Sequence, residues 1–230
     1  MNTPGVAWPP AASFSPAKGV DVLFINMDDH LPSRYLGFLT KEEIARAERI
    51  GKSALSRYAI ISRGFMRKVL GDRLGKSPSD VDIDLLKNGK PVLGAAMNSG
   101  LSFNISHSNN KLVMAVSENN PVGIDIEMVD PSTNHNQASS VVFAQDEKVF
   151  IETSKDPIID FYKIWTIKES ILKATGDGFA YPSRNFSVIS SNKSAIMRCI
   201  SGAVTSNRRC EIHPFSLFED ITGALAVIFP

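Results

Sequence analysis

The sequence predicts an α+β protein made of two similar units. Each half of the chain has predicted strands, one long helix after a shorter one, and then several further strands. The 230 residues suffice for one large domain or two small ones. No residue-level repeat accompanies this coarse repetition, and the two units would join near Asn119–Pro121.

The N-terminal half is predicted to contain strands around two helices. Gly19–Met27 is an apolar strand. Thr40 and Glu43 form a capping box for a helix that ends near Ile50, and an amphipathic helix follows over Ala54–Leu74. The first 18 residues, rich in Pro, Ala and Ser, are expected to form an irregular lead. The remaining predicted elements are strands at Asp80–Leu86, Ser102–Ser108 and Lys111–Ser117, with an Asn-Gly turn at 88–91.

The C-terminal half is predicted to begin with a strand at Val122–Glu127, followed by a polar loop over 130–140. Two helices come next, Ala144–Glu152 and Pro157–Ala174. Pro157 suits the first turn of the second helix, and Gly176 suits its C-terminal end. The rest is predicted as strands at Asn185–Ile189, Ser194–Ile200, Cys210–Leu217 and Ala224–Phe229.

Composition argues against several classes of protein. A formal net charge of +1 gives no reason to expect a nucleic-acid or membrane partner, and the longest apolar runs are too short to span a bilayer. The N-terminus lacks the basic start and apolar core of a secretion signal. The two cysteines, Cys199 and Cys210, lack metal-ligand spacing, and they are expected to be free thiols in a reducing cytosol, although a disulfide is also allowed. We therefore expect a cytoplasmic protein.

Two acids share one side of the strand at 122–127. Strict alternation sends Ile124 and Ile126 to one face and Asp125 and Glu127 to the other, with the acids about 7 Å apart. If the acids are buried, they repel each other, and a positive group is expected between them. The simpler alternative is a half-buried strand whose acids face water.

A third acid lies on an apolar stripe of the long C-terminal helix. Glu169 shares this stripe with Trp165 and Leu172, where a carboxylate is costly unless it is paired. Lys173 lies four residues later, so an ordinary salt bridge within the helix is the simpler explanation. Together, the three acids would be hard oxygen ligands suited to Mg²⁺, which leaves coordination positions for phosphate oxygens and water.

Basic residues cluster on the helix at 54–74, where acids are few. Arginine offers forked donors that suit phosphate, although a solvated helix face is an equally simple explanation. The chain has no G-x-x-x-x-G-K-[ST], G-x-G-x-x-G or G-x-S-x-G motif, which argues against P-loop and Rossmann nucleotide sites. The basic residues of this helix are Arg57, Arg63, Arg67, Lys68 and Arg73.

Four motifs in order carry a resemblance to a known family. They are Asn88-Gly89-Lys90-Pro91, Phe103-Asn104-Ile105-Ser106-His107-Ser108, Gly123-Ile124-Asp125-Ile126-Glu127, and Trp165-Thr166-Ile167-Lys168-Glu169-Ser170 with Lys173 and Gly176. In this order and spacing, the chain resembles the Sfp-type 4′-phosphopantetheinyl transferases. The Arg-containing helix at 57–67 extends the resemblance.

The resemblance implies a fold and an activity. The fold would be a monomer of two pseudo-symmetric halves, 19–120 and 121–230, each a small three-stranded antiparallel sheet packed on a long helix. Coenzyme A would bind between the halves. A Mg²⁺-dependent enzyme of this family moves phosphopantetheine from coenzyme A to a serine of an apo acyl or peptidyl carrier protein and releases adenosine 3′,5′-bisphosphate.

The resemblance also implies roles for individual residues. Mg²⁺, or Mn²⁺ in its place, would be held by Asp125, Glu127 and Glu169. Glu169 would also be the base for the carrier serine and would act with Lys173 in catalysis. A metal ligand is a poor base, so a bridging water or another base remains open. Lys168 and Lys173 would contact the phosphates of coenzyme A, and Ser106 and His107 would contact its diphosphate and 3′-phosphate side. Gly89, Lys90 and Pro91 would line the adenine pocket. Arg57 would bind the 3′-phosphate.

Some features depart from the family pattern. Glu43 falls near a position that is often basic in the family, so Arg57 is the preferred 3′-phosphate ligand. The segment 130–143, which faces the carrier in the family, has few apolar anchors before Val141. Two other functions remain open: a Mg²⁺-dependent hydrolase of nucleotides, and a module that binds coenzyme A or a carrier without catalysis.

Overall fold

The computed structural model describes residues 12–51, 53–132, 141–176, 181–190, 196–197, 199–200, 202–217 and 220–230. The N-terminal half comprises β1 (Ala12–Ala17), β2 (Val20–Asn26), α1 (Lys41–Arg49), α2 (Ala54–Leu74), β3 (Ile83–Leu85), β4 (Pro91–Leu93), β5 (Ser102–Ser108) and β6 (Lys111–Ser117). The C-terminal half comprises β7 (Val122–Met128), α3 (Gln145–Glu152), α4 (Pro157–Thr175), β8 (Cys199–Ile200), β9 (Cys210–Leu217) and β10 (Ile221–Ile228).

Each half has a four-stranded antiparallel sheet and a long helix, which confirms the predicted α+β fold. The strand orders are β1-β2-β6-β5 and β7-β10-β9-β8, and β3 pairs with β4 in a separate hairpin. The sheets have one strand more than the resemblance implied, because β1 and the short β8 are added at their edges. Ala12–Ala17 was expected in the irregular lead. It is a strand instead, and Phe14 packs against the rings of Phe24 and Phe215.

Three apolar cores hold these layers together. The first lies between α2 and the N-terminal sheet, and the second lies between α4 and the C-terminal sheet. The third core joins the two halves through the opposite faces of the sheets, where Val22 and Val113 meet Ile124 and Ile126. Ile124 and Ile126 therefore face the sheet interface, and Asp125 is left on the side of α4, as the alternation predicted.

The helix boundaries follow local sequence signals. The predicted range of α2 is confirmed, and the Ser53 hydroxyl accepts from the Ser56 amide at its start. The capping box of Thr40 and Glu43 is present at the start of α1. Gly176 takes the left-handed conformation that ends α4. Of the described helices, none is both long and apolar enough to cross a membrane.

Two predicted strands differ in the structure. The strand predicted over Asp80–Leu86 is shortened to β3, because Arg67 binds the carbonyls of Pro78 and Val81 and holds a short 3₁₀ turn there. Asn185–Ile189 is not a strand. The Val188 amide donates to Glu147 and the Phe186 carbonyl accepts from Lys168, so side chains take up part of this backbone. Its pairing with neighbouring backbone is limited to an isolated bridge between Ile189 and Ile196, beside a bond from the Met197 amide to the Val188 carbonyl. Part of the strand predicted at 194–200 lies outside the described residues.

The strand β7 packs directly on α4 at Gly123. A Cβ atom at this position would lie 2.1 Å from the Ser170 carbonyl oxygen and 2.3 Å from the Ala174 nitrogen. Both are backbone atoms of the helix, so no side chain can move aside. Glycine at 123 thus sets the short distance between the acids of β7 and the last turns of α4.

We predict that Gly123→Ala lowers the free energy of unfolding by about 3 kcal/mol, because the added methyl group overlaps helix backbone. Gly37→Ala is the control, since its Cβ would meet nothing within 4 Å. Urea unfolding of both variants measures the difference. Equal stability of the two variants would contradict the close packing of β7 on α4.

Candidate active site

Lys173 lies at the centre of the site and binds groups from both halves of the chain. Its ammonium nitrogen lies 2.7 Å from Asp125 Oδ1, 3.1 Å from Ser106 Oγ and 3.2 Å from the Ile124 carbonyl oxygen. These three contacts use its three donors. The positive group expected near the acids of β7 is therefore Lys173. Its ion pair is with Asp125, and the salt bridge considered between Glu169 and Lys173 is not formed.

Three carboxylates surround this lysine, and the pKa of each is raised. Burial raises the pKa of Asp125, against the lowering effect of Lys173 and Ser106. Burial and the charge of Asp125 raise the pKa of Glu127. Burial raises the pKa of Glu169 as well, and the charges of Asp125 and Glu127 add to it. The three acids are thus close enough to repel one another.

The donor set fits a divalent cation shared with a ligand. Asp125 Oδ2 is buried and has no hydrogen-bond partner, so it is an orphaned oxygen that a cation could satisfy. Within the described ranges, however, no three His, Cys, Asp or Glu side chains are grouped closely enough to hold a metal by themselves. Mg²⁺ commonly uses one or two carboxylates together with phosphate oxygens and water. A metal held jointly by Asp125, an adjacent acid and a diphosphate agrees with both observations.

The two halves meet along β5 and β7 through side chains. Amides of β7 donate to side-chain oxygens of β5, at 3.3 Å from Val122 to Ser102, 2.9 Å from Ile124 to Asn104 and 3.0 Å from Met128 to Ser108. We call this set of contacts the seam. It brings Ser106 beside Asp125 and Ser108 beside Glu127.

The Asn-Gly turn docks on the C-terminal end of α4. Asn88 Nδ2 donates to the Gly176 carbonyl at 2.9 Å, and Lys90 Nζ donates to the Lys173 carbonyl. Helix ends leave such carbonyls without internal partners, and a cation there is favourable. Burial and the Lys173 cation lower the pKa of Lys90 to about 8.

Among the described residues, three cavities lined by residues of the four family motifs adjoin the site. The turn cavity, about 250 Å³, is lined by the turn 88–91 together with Asn104, Ile105, Glu169, Leu172 and Lys173. The arginine cavity, about 320 Å³, is lined by residues that include Arg46, Arg63, Pro91, Ile105 and His107. The tryptophan hollow, also about 320 Å³, is lined by residues that include Val142, Trp165, Glu169, Leu172, Tyr181 and Arg184.

These cavities are adjacent. Pro91 and Ile105 line both the turn cavity and the arginine cavity, while Glu169 and Leu172 line both the turn cavity and the tryptophan hollow. A ligand in the turn cavity would thus have a cationic region on one side and an aromatic, partly apolar region on the other. Glu169 stands where the turn cavity meets the hollow.

Comparison with known proteins identifies the family. Residues 121–217 match the family described as "4'-phosphopantetheinyl transferase superfamily", and residues 31–119 match "4'-phosphopantetheinyl transferase, N-terminal". The chain belongs to the 4′-phosphopantetheinyl transferase superfamily. The two matched regions together contain the turn 88–91, both strands of the seam and α4.

Several curated relatives carry the same family name. The chain is 37% identical over 145 residues to the 4′-phosphopantetheinyl transferase HetI of Nostoc sp., covering 62% of this chain and 61% of that protein. It is 28% identical to the transferase Gsp of Aneurinibacillus migulanus, covering 73% and 70%. It is 27% identical to the transferase Sfp of Bacillus subtilis, covering 67% and 68%. The match to HetI thus spans about three fifths of that relative's length.

Two residues that the family resemblance places at coenzyme A have protein partners in the structure. Arg57 donates to the carbonyls of Asp28 and His30 and lies 3.9 Å from the Asp28 carboxylate, and it lines none of the three cavities. The arginines that line the arginine cavity are Arg46 and Arg63. The structure thus places Arg46 and Arg63 at this cavity and Arg57 against another segment, a difference that helical periodicity does not show.

Lys168, which the resemblance implied at the phosphates, is fully buried in an ion pair. Its nitrogen donates to both oxygens of Glu147, at 2.9 and 2.7 Å, and to the Phe186 carbonyl at 2.6 Å. Both members of this ion pair have no exposed side-chain surface. The Glu147 carboxylate also accepts from the amides of Ala144 and Val188. This pair therefore joins α3, α4 and the segment 183–188. Residues of α4 and of the segment 183–188 line the tryptophan hollow.

Several functional candidates were missed from the sequence. Asn104 and Ser108 belong to a polar stripe at every second residue of β5, together with Ser102 and Ser106, and this period of two is visible in the sequence. Arg63 belongs to the basic cluster considered as an anion site and Arg46 to the preceding helix, but Arg57 was preferred to both. Of the segment 130–143, which faces the carrier in the family, residues 133–140 lie outside the described residues.

We predict that Lys168→Met costs about 3–5 kcal/mol of stability, because it leaves Glu147 buried without its cation. The double variant Lys168→Met/Glu147→Gln should recover a large part of this loss, since no unpaired charge remains. Thermal and urea unfolding measure both. A stable Lys168→Met variant that fails to bind coenzyme A would instead return Lys168 to the binding site.

Proposed function

We propose that this chain transfers the 4′-phosphopantetheine group from coenzyme A to a serine of an apo carrier protein. The observation that carries the proposal is the Lys173 cluster, in which one cation holds Asp125 and Ser106 while Asp125 Oδ2 remains without a partner. Such a set of acids and cations suits a metal-bound diphosphate. The family membership supports the same chemistry.

Coenzyme A would lie across the three cavities. Adenine would occupy the turn cavity against Gly89 and Pro91, and the 3′-phosphate would lie in the arginine cavity near Arg46, Arg63 and His107. Burial lowers the pKa of Arg63, against the opposing charge of Glu43, and the charges of Arg67 and Arg46 lower it further. An anion in this cavity would relieve that repulsion.

The reaction breaks one P–O bond of the diphosphate and forms another. The carrier serine oxygen attacks the phosphorus that bears pantetheine, and adenosine 3′,5′-bisphosphate leaves with the bridging oxygen. Glu169 lines both the turn cavity and the tryptophan hollow, so it is placed to receive the serine proton directly or through a water. Lys173 stabilises charge on the phosphates. When bound, Mg²⁺ would neutralise charge on the diphosphate, held by Asp125 with Glu127 or Glu169.

The transfer is tested by mass spectrometry. A panel of apo carriers from fatty-acid, polyketide and peptide synthesis, incubated with coenzyme A, Mg²⁺ and this protein, should gain the mass of phosphopantetheine. Asp125→Ala should lower the rate at least about 100-fold, the loss expected for a charge-stabilising group. Asp84→Ala, an exposed acid on β3, is the control.

Two results would contradict the transferase. Release of adenosine bisphosphate without any carrier would indicate a hydrolase. Tight binding of coenzyme A with no mass gain on any carrier would indicate a binding module.

We predict that Arg46→Ala weakens use of coenzyme A about 10- to 100-fold, because a charged hydrogen bond contributes about 1.5–3 kcal/mol. The same change should have little effect with 3′-dephospho-coenzyme A, which lacks the phosphate. Arg57→Ala should affect both substrates equally. KM values for the two substrates measure this, and a loss confined to Arg57→Ala with coenzyme A would reverse the assignment.

A further inference from the structure

Along the seam, amides of β7 pair with polar side chains of β5 and not with its backbone. Three amides of β7 donate to oxygens of Ser102, Asn104 and Ser108, and each donor lies twenty residues after its acceptor. The constant offset means that the two strands run in the same direction in register. The seam therefore fixes where each residue of β5 lies along β7.

Ser108 differs from the other acceptors of the seam, because its hydroxyl also donates. Ser108 Oγ accepts from the Met128 amide and donates to Glu127 Oε2, both at 3.0 Å. A serine hydroxyl has only one proton. With the amide holding the oxygen in place, that proton is directed at the carboxylate, so the orientation of Glu127 is set from the other half of the chain.

The neighbouring contact repeats this arrangement. Ser106 Oγ donates to Asp125 Oδ1 at 2.9 Å. Ser106 was already expected at coenzyme A, whereas Ser108 has no role in the proposed reaction. Asp125 and Glu127 thus each accept a hydrogen bond from a serine of β5. The two serines are two residues apart, as are the two acids.

We propose that Ser108 is a positioning residue that orients Glu127 toward a divalent cation at the diphosphate. This inference rests on the proposed function only for the identity of the ligand. Without its hydroxyl partner, the Glu127 carboxylate keeps only its hydrogen bond to Trp165, and it is also repelled by Asp125 on the same face of the strand. Groups that orient metal ligands in this way typically contribute 10- to 100-fold to metal affinity.

The seam provides a matched control at Ser102. Its hydroxyl accepts from the Val122 amide, as Ser108 accepts from Met128, but it contacts neither Asp125 nor Glu127. Removing the Ser102 hydroxyl therefore loosens the seam without removing a hydrogen bond to either carboxylate. If Ser108→Ala weakens metal binding and Ser102→Ala does not, the loss is therefore due to Glu127.

The experiment measures Mn²⁺ binding by electron paramagnetic resonance, with saturating coenzyme A and no carrier protein. The Mn²⁺ bound by coenzyme A in the absence of protein is measured separately and subtracted. Ser108→Ala should weaken binding about 10- to 100-fold, while Ser102→Ala should bind within twofold of the unaltered protein. Ser108→Thr keeps the hydroxyl and should retain most of the affinity. In the Glu127→Gln background, Ser108→Ala should have no further effect.

Equal losses for Ser108→Ala and Ser102→Ala, or no loss for Ser108→Ala, would overturn the proposal. If Ser108→Ala does not fold, Ser108→Thr is compared with Ser108→Val, which has the same shape without the hydroxyl, and equal affinities overturn it. Unaltered protein that binds no Mn²⁺ also overturns it. Because no carrier is present, these results are separate from transfer, whose absence would contradict only the proposed function.

Discussion

The ion pair between Lys173 and Asp125 is the interaction on which the rest of the site depends. It requires α4 to approach β7 closely, which Gly123 allows by having no side chain. It also requires β5 to lie beside β7, since the same lysine binds Ser106. The last turn of α4 then offers its carbonyls to Asn88 and Lys90. The C-terminal end of α4 thus holds the turn 88–91 and β5 of the N-terminal half against β7 of the C-terminal half.

This arrangement places charges where a small protein would ordinarily avoid them. Three acids with raised pKa values lie around a lysine whose donors are all used, and one buried carboxylate oxygen has no partner. Buried polar atoms without partners cost stability. A charged ligand with its own cation would satisfy the free oxygen, which gives a physical reason for the chain to tolerate the cost.

The sequence predicted those features that depend on local patterns. Alternation placed Asp125 and Glu127 on one face of β7, and the capping box of Thr40 and Glu43 located the start of α1. Features that depend on distant contacts were not predictable in this way. Lys168 lies beside Glu169 in the sequence, yet its partner is Glu147 on another helix. Arg57 is held by carbonyls 27 and 29 residues earlier.

Crystals grown with coenzyme A and Mn²⁺ would show, through the anomalous signal of the metal, whether the Lys173–Asp125 pair holds a metal-bound diphosphate. We expect one manganese peak about 2.1 Å from Asp125 Oδ2, with the diphosphate beside Lys173 and adenine against Pro91. A manganese peak remote from Asp125, or a diphosphate that does not approach Lys173, would contradict this expectation.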